Sequence, residues 1–242
     1  MKKRILATTL AVMLGTSMVA SNTALAFGFG DVANIVSGGP AAGATEEAPD
    51  MDGLTGRQER MLDRLASSTL LFSAATVDVY QALELDPKII GEQNLIFSNL
   101  SGDKTNKDYV KKAASEKIAT KEVKAAAKAA LASGDQDKIG RINEAIKSAN
   151  LKKQGAYLYT GLALADAVSV IKEGSRGMKG FSGEGQLIGI VKSAQAAQSL
   201  CNAQNKQIKA LNEALAEYSA SQNIEKPSDE ESQAAADSFL KG

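Results

Sequence analysis

Histidine and tryptophan are absent from this 242-residue chain, and cysteine occurs once, at Cys201. Without histidine, Ser-His-Asp catalysis, Cys-His catalysis and every histidine-ligated metal site are excluded by inventory. The chain is therefore expected to have no catalytic residues, no bound metal and no cofactor. One cysteine cannot close a disulfide within the molecule, so Cys201 is buried, free, or paired with another chain; burial is the default for a residue that packs like a small hydrophobe. An excess of one charge is missing as well. The 28 basic and 28 acidic residues balance, and a chain without a basic surplus is not expected to bind nucleic acid. Nor is there a clean apolar run of the ~20 residues that a membrane span needs.

What the N-terminus does carry is the pattern of an export signal. Lys2, Lys3 and Arg4 form a charged start, residues 5–20 an apolar stretch, and Ala24-Leu25-Ala26 a small-residue cleavage site. Cleavage after Ala26 is expected, giving a mature chain from Phe27 that works in the periplasm or outside the cell. No cysteine lies near that site to accept a lipid anchor. With three basic residues gone from a balanced total, the remaining 216 residues carry a net charge of −3, and they suffice for a core without covalent staples. Residues 27–53 are rich in Gly, Ala and Pro without sustained periodicity, and read as a flexible leader. Its apolar patch, Phe27, Phe29 and residues 32–36, either frays or docks on the body or a partner.

Helical stripes begin at residue 54. Met61, Leu65, Phe72, Val79 and Leu83 recur at sums of three and four, which marks one face of a helix over 54–85. Asp86-Pro87 ends it, and Pro87 opens a second helix with Ile89, Ile96 and Leu100 inward. Residues 105–133, dominated by Ala, Lys and Glu, predict one continuous third helix of high intrinsic propensity. Gly134 and Asp135 stop it and cap a fourth, 135–173, on which Ile139, Ile142 and Ile146 restart the stripe. The stretch 156–171 is apolar nearly all round, with Leu158, Leu162, Leu164, Val168 and Ile171, and is expected to be the buried centre. Gly161 and Ala165, four apart, offer another helix a close approach.

Five glycines between Gly174 and Gly185 predict a loop. A fifth helix, 186–223, carries Leu187, Val191, Ala194, Cys201, Ile208 and Leu215 on a coiled-coil-like seam. Pro227-Ser228-Asp229 then leads into a short sixth helix to Leu240. No segment sustains the period of two that a strand requires. The predicted fold is all-α: an elongated helical bundle with a long antiparallel helical hairpin, helices near 135–173 and 186–223, within one helical domain over 54–242. At equal rise per residue the facing positions sum to about 360, which puts Tyr159 near Cys201 and Asp166 near Ala194.

Candidate sites are few. Gln198 and Asn205 fall on the same predicted seam as Cys201; they either line a pocket or partner surface with Tyr159, Thr160 and Asp166, or fix helix register. Arg176 and Lys179 could hold an anion near the start of the fifth helix, although Gly183-x-Gly185 follows no strand and lacks the dinucleotide and P-loop fingerprints. Ser101-Gly102-Asp103-Lys104 has the spacing of the Ser-x-x-Lys dyad of penicillin-recognising enzymes without its companion motifs. Asp103, Thr105 and Lys107 occupy calcium-loop spacings, where the lysine repels the ion. Eight lysines between Lys104 and Lys128 outnumber three acids there, a net +5, while residues 213–237 hold seven acids against Lys226. For the basic stretch a solvated helix face is the default, and an acidic lipid or acidic protein contact the sharper alternative.

These features predict an exported, non-enzymatic helical protein acting by protein binding, as a scaffold, adaptor or chaperone-like component of the cell envelope. Its partner is expected to be an envelope protein, with a homo-oligomer of the chain as a further option. Lipid engagement through the basic or apolar helix is the alternative. Carriage of a small ligand around Tyr159, Asp166 and the amides is a third.

Overall fold

A computed structural model describes residues 50–177 and 184–241. The export signal, the leader up to residue 49 and Lys179 lie outside the described residues. Seven helices occupy them: α1 Met51–Ala82, α2 Pro87–Gly102, α3 Lys107–Ser115, α4 Thr120–Ser133, α5 Gln136–Gly177, α6 Glu184–Ser221 and α7 Asp229–Lys241. No strand occurs among the described residues, and the helices pack against one another as an all-α bundle.

Side-chain caps set most of the boundaries. Asp50 accepts the Gly53 amide at 3.0 Å, so α1 starts three residues inside the predicted leader. Asp86 accepts the Lys88 amide at 2.8 Å beside Pro87 in the first turn of α2, and Gly134 ends α4 at φ 65°. α7 opens with a capping box: the Glu231 amide donates to Ser228 Oγ while the Ser228 amide donates to Glu231 Oε2.

The predicted third helix is two helices. Residues 116–119 leave the helical path, and the backbone amides this exposes are taken by side chains of other helices: Ala119 N–H donates to Tyr80 Oη at 2.9 Å and Ile118 N–H to Gln207 Oε1 at 3.2 Å. Tertiary hydrogen bonds thus override a strongly helical composition.

α1 is the central helix, not the segment 156–171. Every residue from 65 to 77 is buried, with α2, α3, α5, α6 and α7 arranged around it. Five of those residues are hydroxylic, and they are accommodated because Thr69 and Thr76 donate back to carbonyls one turn earlier while Ser73 accepts from Gln93. Within 156–171, by contrast, Leu162 is 44% exposed and Val168 is also exposed. Composition all round a helix does not reveal which side has a neighbour.

α5, with 42 residues, spans about 63 Å, and α6 about 57 Å. They run in opposite directions: Tyr218 Oη donates to Asn143 Oδ1 at one end, and Gly174 lies against Leu187 and Val191 at the other. The connection between them falls outside the described residues, yet both helices extend into the predicted glycine loop, with Gly174, Gly177 and Gly185 helical. A Cβ at Gly174 would lie 2.5 Å from Val191 Cγ2, so this glycine serves close helix contact. Gly161 has nothing within 4 Å of a would-be Cβ. The close approach predicted there occurs instead at Gly155, where a Cβ would meet Ala236 at 2.6 Å.

The buried stripe of α5 runs in alternating steps of three and four through Ile139, Ile142, Ile146, Ala149, Lys153, Ala156, Thr160, Ala163, Ala167, Val170 and Gly174, with Gly155 and Ile171 buried beside it. That is a seven-residue repeat, the pattern of a coiled-coil seam. Two polar residues, Lys153 and Thr160, interrupt it.

Candidate functional site

Thr160 belongs to a polar layer that crosses the bundle. Ser68 of α1 donates to the Ala156 carbonyl at 2.6 Å, lies 2.5 Å from Thr160 Oγ1, and accepts Gln204 Nε2 of α6 at 2.6 Å. Above and below it lie two apolar clusters, one around Leu71, Ile142, Ile146 and Leu211, the other around Leu65, Ile96, Ala167 and Leu187. Gln204 Oε1 has no partner among the described residues. The seam of α6 runs through Ala194, Ala197, Cys201, Gln204 and Ile208, all buried, so the buried amide is Gln204. Gln198 and Asn205, predicted on the seam, sit at its half-buried flank because the alternation passes through a three-step where a four-step was read. Asn205 Oδ1 is itself buried without a partner. Cys201 is buried and free, and burial pushes its thiol up to about 12.

The other sequence candidates are not brought together. Tyr159 Oη donates to Asp237 Oδ1 of α7 at 2.7 Å. Asp166 pairs with Arg64 of α1 at 2.5 Å. These polar contacts are with α7 and α1 and not with α6. Arg176 is exposed at the end of α5. Lys104, of the Ser-x-x-Lys spacing, is engaged by Asp63 at 2.7 Å, and Asp103 accepts from both the amide and the hydroxyl of Thr105.

Lys153, three residues before the apolar stretch 156–171, is the unusual one. It occupies a core position of the α5 seam with 7% of its surface exposed. Its ammonium donates to Asn150 Oδ1, one turn earlier, at 2.7 Å, and among the described residues no carboxylate pairs with it. Burial lowers its pKa from 10.5 to about 8, because a cation withdrawn from water favours its neutral form. The signal that could have found it is its place in the seven-residue repeat, four after Ala149 and three before Ala156.

Lys153 opens onto a cleft of about 410 Å³. α5 lines it with Asn150, Lys153, Gln154 and Tyr157; α6 supplies Asn212 and the apolar Ile208 and Leu215; residues 224–227 close the far side with Ile224, Lys226 and Pro227. Burial raises the Tyr157 hydroxyl, with the charge of Asp229 adding to the effect, so that phenol stays protonated as a donor. The lining has amide, hydroxyl and amine groups and no carboxylate. Such a set can hold an anionic group, and an amine of lowered pKa can also act as a nucleophile.

No protein family, no curated protein and no solved structure matches this chain.

Proposed function

We propose that this chain is an exported, non-enzymatic helical protein that acts in the cell envelope by binding a protein partner, as a scaffold, adaptor or chaperone-like component. The observation that carries this reading is Lys153: a cation withdrawn from water, with a single amide acceptor, at the floor of an open cleft. Perturbed ionisable groups in clefts concentrate at functional sites, and a binding group of opposite charge would offset the cost of its burial. Leu162 and Val168 on α5 and Ile188 on α6 are further exposed apolar residues, outside the cleft. Crosslinking and pull-down from envelope extract, with wild type and Lys153→Met in parallel, test the reading. A specific partner that is lost or weakened in the variant is expected; a monomer that captures nothing, or a partner indifferent to Lys153, refutes it.

A second reading, contact with acidic lipid, is favoured by a different observation. Lys107, Lys111, Lys112, Lys117, Lys121, Lys124 and Lys128 of the α3–α4 region are all exposed, and none forms an ion pair among the described residues. Flotation with anionic vesicles that is lost at high salt supports it, and no flotation under any condition removes it. No helix among the described residues is long and apolar enough to cross a membrane, so such contact would be at the surface.

A further inference from the structure

We propose that the cleft between α5, α6 and residues 224–227 receives a carboxylate joined to a small apolar group, with the Lys153 ammonium holding the carboxylate and Ile208, Leu215 and Ile224 the apolar part. The inference rests on the binding reading above and names what is bound.

The charge argument starts from donors. An ammonium has three N–H groups, and Asn150 Oδ1 accepts only one of them. Lys226 adds a second cation at the rim, and no acid lines the cleft. An anion is what this arrangement lacks. A carboxylate fits better than a phosphate for two reasons. Lysines in phosphate sites are joined by arginine forks, backbone nests or open helix N-termini, and this lining has lysines without any of them. The neighbouring start of α7 is acidic, with Asp229, Glu230 and Glu231 in its first turn; its capping positions are already filled by Ser228 and Glu231. Those acids, next in sequence to the cleft residue Pro227, disfavour a doubly charged ligand, whereas a single charge is held by Lys153 with Lys226 at the rim.

The apolar wall decides the rest of the ligand. Ile208, Leu215, Ile224 and Pro227 line the cleft together with the amides, an arrangement that rewards a hydrocarbon group beside the charged one. A volume of about 410 Å³ lies within the ~300–1,000 Å³ of small-ligand sites, enough for one or two residues of a peptide end. The same chemistry is offered by the C-terminus of a protein ending in an apolar residue and by a short free carboxylic acid, and the experiment separates them.

The probes are a peptide ending in leucine with a free C-terminus, the same peptide as its C-terminal amide, hexanoate, and inorganic phosphate, each titrated into the full mature chain by calorimetry. In parallel, the ¹³Cε resonance of Lys153 is followed with pH. The free-acid peptide is expected to bind at least tenfold more tightly than its amide, with phosphate weaker than either carboxylate. The Lys153 titration midpoint is expected to move up from about 8 when the cleft is filled. Hexanoate binding as tightly as the peptide identifies a free acid as the ligand class; the peptide binding more tightly identifies a chain terminus. Lys153→Met should abolish binding, and Lys226→Ala, at an exposed position that the fold does not need, should weaken it several-fold. Equal binding of acid and amide, preference for phosphate, binding retained in Lys153→Met, or no binding of any carboxylate at millimolar concentration overturns the proposal. If the carboxylates fail while a protein partner is still lost on Lys153→Met, the ligand assignment falls and the binding reading stands. If they bind and no partner is ever captured, the reverse holds.

Discussion

Replacing Lys153 with methionine should make the protein more stable at neutral pH and remove a specific pH dependence. Its pKa is lowered to about 8 in the fold, against 10.5 for an ordinary lysine. At ~1.36 kcal/mol per unit this disfavours the charged form in the folded chain by roughly 3 kcal/mol. Below pH 8 folded and unfolded chains both carry the proton, and the full cost is present. Between pH 8 and 10.5 the folded chain has released it while the unfolded chain has not, so the contribution of Lys153 to stability rises with pH across that window and levels off above it. Methionine has similar length and no charge. It forgoes the bond to Asn150, worth about 1 kcal/mol, so a net gain of about 1–2 kcal/mol at pH 7 is expected, or roughly 3–6 °C in Tm. The assay is urea unfolding of both proteins from pH 7 to 10.5. Tyr157 and Lys226, the other titratable groups in the cleft, are common to both proteins, so the difference between the two curves isolates Lys153. An advantage for methionine that does not shrink toward pH 10.5, or a variant less stable by 2 kcal/mol at pH 7, would refute the reasoning.

Four further outcomes follow from the packing. Gly155→Ala should destabilise by about 1–3 kcal/mol and loosen α7, because the new methyl meets Ala236 Cβ at 2.6 Å and the Ser232 carbonyl at 3.2 Å; faster proteolysis near the C-terminus reports it. Gly161→Ala, with open space around it, should stabilise by about 1 kcal/mol through helix propensity alone, read as a higher Tm. Ser68→Ala strips the acceptor from Gln204 Nε2 inside the bundle and should cost about 1–3 kcal/mol in urea unfolding. Cys201, buried with its thiol pushed up to about 12, should resist iodoacetamide at pH 8 in the native protein and react once unfolded; fast native labelling would contradict its placement.

The apolar periodicities carried the fold: Met61, Leu65, Phe72, Val79 and Leu83 are all buried, as are Ile139, Ile142 and Ile146, and the breaks at Pro87 and Gly134 stand where those residues demand them. Features decided by partners distant in sequence were not legible. The interruption at residues 116–119 depends on Tyr80 and Gln207, neither of which marks the local sequence. The centrality of α1 was obscured by its serines and threonines, which find partners one turn back or on neighbouring helices and so tolerate burial. The cleft escaped notice because a lysine between apolar segments reads as a boundary. Its place in the seven-residue repeat contradicted that, and counting through the lysine would have exposed it.

The polar layer of Ser68, Thr160 and Gln204 has one more consequence. Rods with a repeating apolar edge can slip past each other by one repeat, about 10.5 Å, with little penalty, since leucine meets alanine again after the shift. Here slippage of α6 by seven residues would bring Ala197 or Leu211 to Ser68 and strand its hydroxyl neighbours in hydrocarbon. One level of the stack accepts an amide and the rest do not, so the molecule has a single stagger.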